Sequence, residues 1–286
     1  MTATSIRGIA QSLLMVVLLV FASEFCLAAD LAVPPASLAS GYRMMYDLNF
    51  SSAHAVFLSW QQQHPEDPLG PASDAAGLLF SELHRLGVLE AQFYEDDKSF
   101  DARKKLSPDT QLKTQFDAAL DLAEQRAHAL LAKDPQNRDG LLALTLSSGL
   151  KADYAALVEK RNMASLGFTK EATSHAQQLL AADPKCYDAY IATGIGKYII
   201  GSMAAPLRWM LRLGGFVGDK NAGMEELKLT AQKGQYLAPF ARILLAIAYV
   251  RDKDKPKARA LLASLRDEFP DNPLFAKEIS RLDSGN

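Results

Sequence analysis

One short helix ending occurs twice in this chain. Leu130-Leu131-Ala132-Lys133-Asp134-Pro135 is matched by Leu179-Leu180-Ala181-Ala182-Asp183-Pro184, 49 positions later (179 − 130). Ala127 and Ala176 hold equivalent places ahead of it, and beyond the proline Asp139 meets Asp188 and Ala143 meets Ala192. Two looser versions follow the same grammar: His64-Pro65-Glu66-Asp67-Pro68 and Phe269-Pro270-Asp271-Asn272-Pro273. Internal self-similarity restricts the fold more than composition does, because a unit used repeatedly exposes an apolar face that only a neighbouring unit can cover.

The units themselves are helical. Apolar residues recur at helical spacing between short Pro, Gly or Asp breaks, and no stretch shows the period-2 alternation that strands require. In Lys257 to Phe269 the residues Ala258, Leu261, Leu262, Leu265 and Phe269 form one face, and Pro270 stops the helix. Asn272 as N-cap and Pro273 at the first position open a last helix through Phe275 and Ile279 to Leu282. Ser107-Pro108-Asp109 opens a long helix that ends at Asp134-Pro135. Further helices are expected over Asp74 to Tyr94 and Asp153 to Arg161. The alanines at 123, 127, 172, 176, 241 and 248 read as close helix–helix packing.

In these endings the chain resembles the tetratricopeptide repeat superfamily, over Tyr42 to Leu282. The resemblance implies an all-α protein of stacked antiparallel helix pairs, an α-solenoid of tetratricopeptide type. The spacing of 49 departs from the usual 34-residue period, so irregular extra helices are expected between units.

The first 29 residues read as a secretory signal. Arg7 precedes ten apolar residues, Leu13 to Ala22, and small residues surround Ala28-Ala29. Ten helical residues rise only ~15 Å, about half of a ~30 Å hydrocarbon core, and Glu24 interrupts any longer span. Cleavage fits after Ala28 or Ala29, with Ala29 favoured; a retained signal anchor is the competing reading. Glu24 and Phe25 before Cys26 argue against a lipid-attachment motif. Residues 30 to 40, with Pro34-Pro35, read as an extended linker, and the repeat domain is expected over 41–284. The product is then exported, periplasmic or associated with the cell envelope. Once the signal is removed Cys186 is the single cysteine, so the fold rests on its core and not on a disulfide.

Little in the chain points to chemistry. With 31 basic against 33 acidic residues and no basic run, nucleic acid is not an expected partner. The five histidines lack helical pairing or a cysteine at metal-site spacing, and no metal or organic cofactor is expected. Nucleophile-elbow, phosphate-loop and dinucleotide fingerprints are missing; Gly194-Ile195-Gly196-Lys197 has glycines too close together for a phosphate loop. Glu82, Glu90, Glu95, Glu225 and Glu226 could supply a carboxylate pair, as would any helical protein of this size.

Two groups of residues are candidates for partner contact. Arg208, Trp209 and Arg212 lie in the segment Tyr198 to Asp219, with the arginines on one side of a helix and Trp209 and Leu213 on the neighbouring side. Such a patch suits an anionic headgroup or a partner helix; the plainer reading is a buried connector. Tyr190, Lys197 and Tyr198 stand at a repeat start, where stacked helix pairs line a groove. The leading expectation is a scaffold that binds a protein or peptide on the inner surface of the stack, without catalysis. The alternatives are an enzyme acting on a cell-wall or small-molecule substrate, and a peripheral membrane-contacting protein.

Overall fold

A computed structural model describes residues 37–90 and 107–284. The signal segment, most of the linker, Glu95, and the acidic and basic clusters around residues 95–105 lie outside the described residues. The chain is all-α: among the described residues there are twelve α-helices and no strand. They are α1 (Leu38–Tyr46), α2 (Phe50–Gln63), α3 (Leu69–Arg85), α4 (Thr110–Lys133), α5 (Arg138–Asp153), α6 (Asn162–Ala182), α7 (Tyr190–Ser202), α8 (Ala205–Leu213), α9 (Lys220–Lys233), α10 (Ala238–Arg251), α11 (Lys255–Glu268) and α12 (Pro273–Ser284). A single π-helical turn, Tyr154–Val158, continues α5, and a 3₁₀ turn, Tyr187–Ala189, precedes α7.

The four related helix endings share one backbone geometry. His64, Asp134, Asp183 and Phe269 each close their helix in an extended or near-extended conformation. In every case the following proline accounts for this, because its ring disfavours the helical region for the preceding residue. Each turn is then locked by the same bond, from the amide three residues on: Asp67 to His64 O (3.1 Å), Asn137 to Asp134 O (2.9 Å), Cys186 to Asp183 O (3.1 Å) and Asn272 to Phe269 O (3.2 Å). In three of the four the residue at that third position also caps the next helix. Asp67 accepts from the Leu69 amide (2.8 Å), Asn137 from Gly140 (2.9 Å) and Asn272 from Leu274 (3.0 Å). Cys186 has no oxygen to offer, and there the next helix starts through the 3₁₀ turn instead.

Several expected boundaries shift for local reasons. Folded structure begins at Ser37, inside the expected linker, because the Ser37 and Ser40 hydroxyls form a reciprocal capping box for α1. The long helix after residue 107 is capped by Asp109, whose carboxylate accepts from Gln111 and Leu112. The helix expected over Asp74 to Tyr94 starts earlier, at Leu69, and ends at Arg85 with Gly87 in the left-handed region at φ +67°. No separate helix covers Asp153 to Arg161; α5 runs on through its π turn until Lys160 at φ +55°.

Each helix packs mainly on its neighbours in the chain, and α5 touches α3, α4 and α6. That central position explains why Leu141 to Leu144 are all buried. The six expected packing alanines are also all buried. At the α7–α9 contact a Cβ on Gly194 would lie 3.2 Å from Gly223 O and from the Glu226 and Leu227 side chains, so the glycines there serve close helix approach.

The two ends of the described helical region meet. The Tyr46 hydroxyl donates to Tyr236 O (3.1 Å), the Asn272 side-chain amide donates to Tyr46 O (2.8 Å), and the Arg43 guanidinium donates to Glu268 O (2.9 Å). Tyr42 stacks on Tyr236, Tyr46 packs on Phe269, and Phe80 meets Phe240 edge-on. Helix α1 thus lies between α2 and α3 on one side and the chain segments bordering α10, α11 and α12 on the other, and Tyr42, Met45 and Tyr46 are buried.

Candidate functional site

Helix α8 is built unlike the rest. Pro206 sits in its first turn and Gly214 ends it, and none of its nine residues is buried. At 100° per residue Trp209, Leu213, Pro206 and Met210 share one side, Arg212 and Arg208 follow beside Trp209, and Leu211 and Leu207 adjoin Arg208 on the arginines' other edge. Only Leu211 is half-buried. Trp209 is 66% exposed and Leu213 72%, with Met210, Leu207 and nearby Val217 and Ile199 also exposed. A surface helix of a folded protein normally turns its apolar side to the core, and α8 points most of it away.

The charged side chains of the segment itself are of one sign. No Asp or Glu occurs between Asp188 and Asp219. Arg208 donates to Gly201 O (3.0 Å) at the end of α7 and stays exposed. Lys170 of α6 reaches the same region, donating to Gly214 O (3.2 Å) and lying 5.6 Å from the centre of the Phe216 ring.

The other sequence candidates are dispersed. The Tyr190 hydroxyl donates to Pro184 O (3.3 Å), Lys197 is ion-paired with Glu226, and Tyr198 lies half-buried under Lys220. Ile191 and Ile195 of the same helix, not Tyr190 and Lys197, line a partly open apolar cavity.

That cavity, of about 80 Å³, lies where α1, α3, α5, α6, α7 and α10 converge. Its wall is apolar apart from Thr145, Thr169, the tyrosines of α1 and a single carboxylate, Asp153. The threonine hydroxyls are already bonded to backbone oxygens within their own helices. Asp153 retains some accessible surface but is closely surrounded by protein, and burial alone pushes its carboxyl up to about 7. Among the described residues it has no hydrogen-bond or ionic partner. The truly buried carboxylates differ: Asp74 meets His54 Nδ1 at 2.6 Å, Glu82 pairs with Arg85 and accepts from the Asp109 amide, Asp188 accepts from three amides, and Glu278 pairs with Arg281.

Glu90, Glu225 and Glu226, considered as catalytic carboxylates, are ion-paired to Lys277, Lys228 and Lys197. No group of three His, Cys, Asp or Glu among the described residues is placed to hold a metal. The Cys186 thiol is buried, and burial pushes it up to about 11. Asp153 escaped sequence reasoning because a lone aspartate near a helix end is ordinarily solvated; its i, i+4 relation to Gly149 was the available signal. Comparison with known protein families and with curated proteins gives no match.

Proposed function

We propose that this chain is a non-catalytic binding protein of stacked antiparallel, tetratricopeptide-like helix pairs, and that it works by attaching to an anionic bilayer surface through α8. The observation that carries this reading is the outward apolar side of α8, flanked by Arg208, Arg212 and Lys170, in a segment with no acidic residue from 189 to 218. An amphipathic helix in this orientation can sink its tryptophan and aliphatic side chains to the headgroup boundary while the arginines stay with the phosphates.

The repeated proline turns support the stacked-pair architecture, and the N-terminal pattern supports export to the periplasm or envelope. An inner groove holding a separate peptide has less in its favour, since the chain's own α1 packs against the segments bordering α10 to α12.

Vesicle co-sedimentation tests the proposal. The chain should bind vesicles containing an acidic phospholipid at low ionic strength and release as salt rises. Replacing both Arg208 and Arg212 by Ala should weaken binding by roughly 2 kcal/mol, about 30-fold, at about 1 kcal/mol per basic residue. A Trp209→Ala, Leu213→Ala variant should lose binding to acidic and neutral vesicles alike. Equal sedimentation with and without acidic vesicles would remove the bilayer as partner.

A further inference from the structure

A second feature, independent of α8, makes two locally unfavourable residue choices one helical turn apart. Gly149 and Asp153 are i and i+4 on α5, so they share a face, and both line the partly open cavity. Glycine inside a helix is unfavourable relative to alanine. Packing does not demand it here: a Cβ built on Gly149 meets nothing within 4 Å, whereas one on Gly194 or Gly201 would crowd a neighbouring helix. The missing side chain leaves the cavity open. Asp153 places an unpartnered carboxylate on the same wall, where an apolar residue would avoid the cost of burying charge. The helix passes directly from Asp153 into the π turn, a distortion frequent at functional sites. Departures from local stability that coincide in space mark a site selected for something other than stability.

We propose that this cavity binds the apolar chain of a small primary amine, with the ammonium paired to the Asp153 carboxylate. The size agrees: about 80 Å³ is roughly half of a ~150 Å³ apolar cavity that accepts benzene, so a short alkyl segment fits and a large ring does not. The wall agrees as well, since Leu146, Leu150, Ile191 and Ile195 offer only hydrocarbon to the ligand's body. Pairing with a cation supplies the partner that Asp153 lacks, through a charge-assisted bond stronger than one between neutral groups.

Isothermal titration of the purified chain with n-butylammonium, n-butanol and butyrate tests this. Saturable binding of n-butylammonium, weakened about tenfold or more in Asp153→Asn and abolished in Gly149→Leu, is the expected result. Circular dichroism melting of both variants shows whether they keep the fold, and Gly149→Leu should melt no lower than the parent. The assignment is overturned if folded Asp153→Asn binds the amine as tightly as the parent, if butyrate binds in preference to the amine, or if no saturable amine binding occurs. Because neither variant touches α8, vesicle attachment should be unchanged in both.

Discussion

Asp153 combines a half-buried carboxyl with the lack of an ionic or hydrogen-bond partner among the described residues, and this gives it a distinct part in the protein's response to pH. Burial holds its folded-state proton affinity at about 7, against an ordinary value of 3.8 in the unfolded chain. Below about pH 4 both states are protonated and the residue contributes no difference. Between about 4 and 7 the unfolded chain ionises while the folded chain keeps its proton, so this residue makes stability fall as pH rises. Above 7 both are ionised and the penalty stays constant, at roughly 4 kcal/mol as an upper bound from 1.4 kcal/mol per pH unit. Asp153→Asn should therefore gain stability over the parent at pH 8 and much less at pH 5. Urea midpoints of the two proteins at both values check this; a gap of the same size at each pH would show that burial does not hold the proton.

At the scale of elements, the junction before α10 hangs on one side chain. Asp188 is 3% exposed and accepts from the amides of Gln235 (3.1 Å), Tyr236 (3.2 Å) and Leu237 (3.0 Å). Burial raises its carboxyl, and the three amide bonds work in the opposite direction. Thr230 secures the same junction by donating to Tyr187 O (2.9 Å). Removing the carboxylate strands backbone donors inside the protein at about 1–3 kcal/mol each, so Asp188→Ala should cost several kcal/mol and lower the melting temperature sharply. Helix α8 is the contrasting element, since no residue in it is buried. Trp209→Ala should change stability by less than about 0.5 kcal/mol, as expected for a surface site. A large loss of stability in that variant would mean that Trp209 packs in the core, which was the plain reading of the Tyr198 to Asp219 segment.

For the molecule as a whole, the contact between α1 and the last helices changes how stability is distributed. An open repeat array is held by nearest-neighbour interfaces and can unfold piecewise. Here Tyr46 and Asn272 join helices 226 residues apart in the chain, and Arg43 and Glu268 are 225 apart. The terminal helices are thereby coupled, and native-state hydrogen exchange should find α1 and α10 to α12 opening together. Asn272→Ala removes both the bond to Tyr46 O and the cap on α12, a loss of about 2 kcal/mol. In that variant the amides of α12 should exchange well before those of α5. Uniform exchange across the variant would show that the coupling does not depend on this contact.

What the sequence by itself determined is the local grammar. An Asx oxygen two or three residues before an amide, a proline that forces its predecessor out of the helical region, and apolar residues every three or four positions act within a few residues of chain. They place the helix ends at 64, 134, 183 and 269, the cap at Asn272 and the buried alanine faces. Even the misplaced boundaries at Ser37, Asp109 and Leu69 turn on caps that a closer local reading contains. Tertiary structure alone decided three other things: that α1 meets the segments bordering α10 to α12, that Gly149 and Asp153 face a cavity, and that the apolar side of α8 points outward. Each depends on which surfaces meet across tens or hundreds of residues. Periodicity shows that a helix has an apolar side, but packing of the rest of the chain decides whether anything covers it.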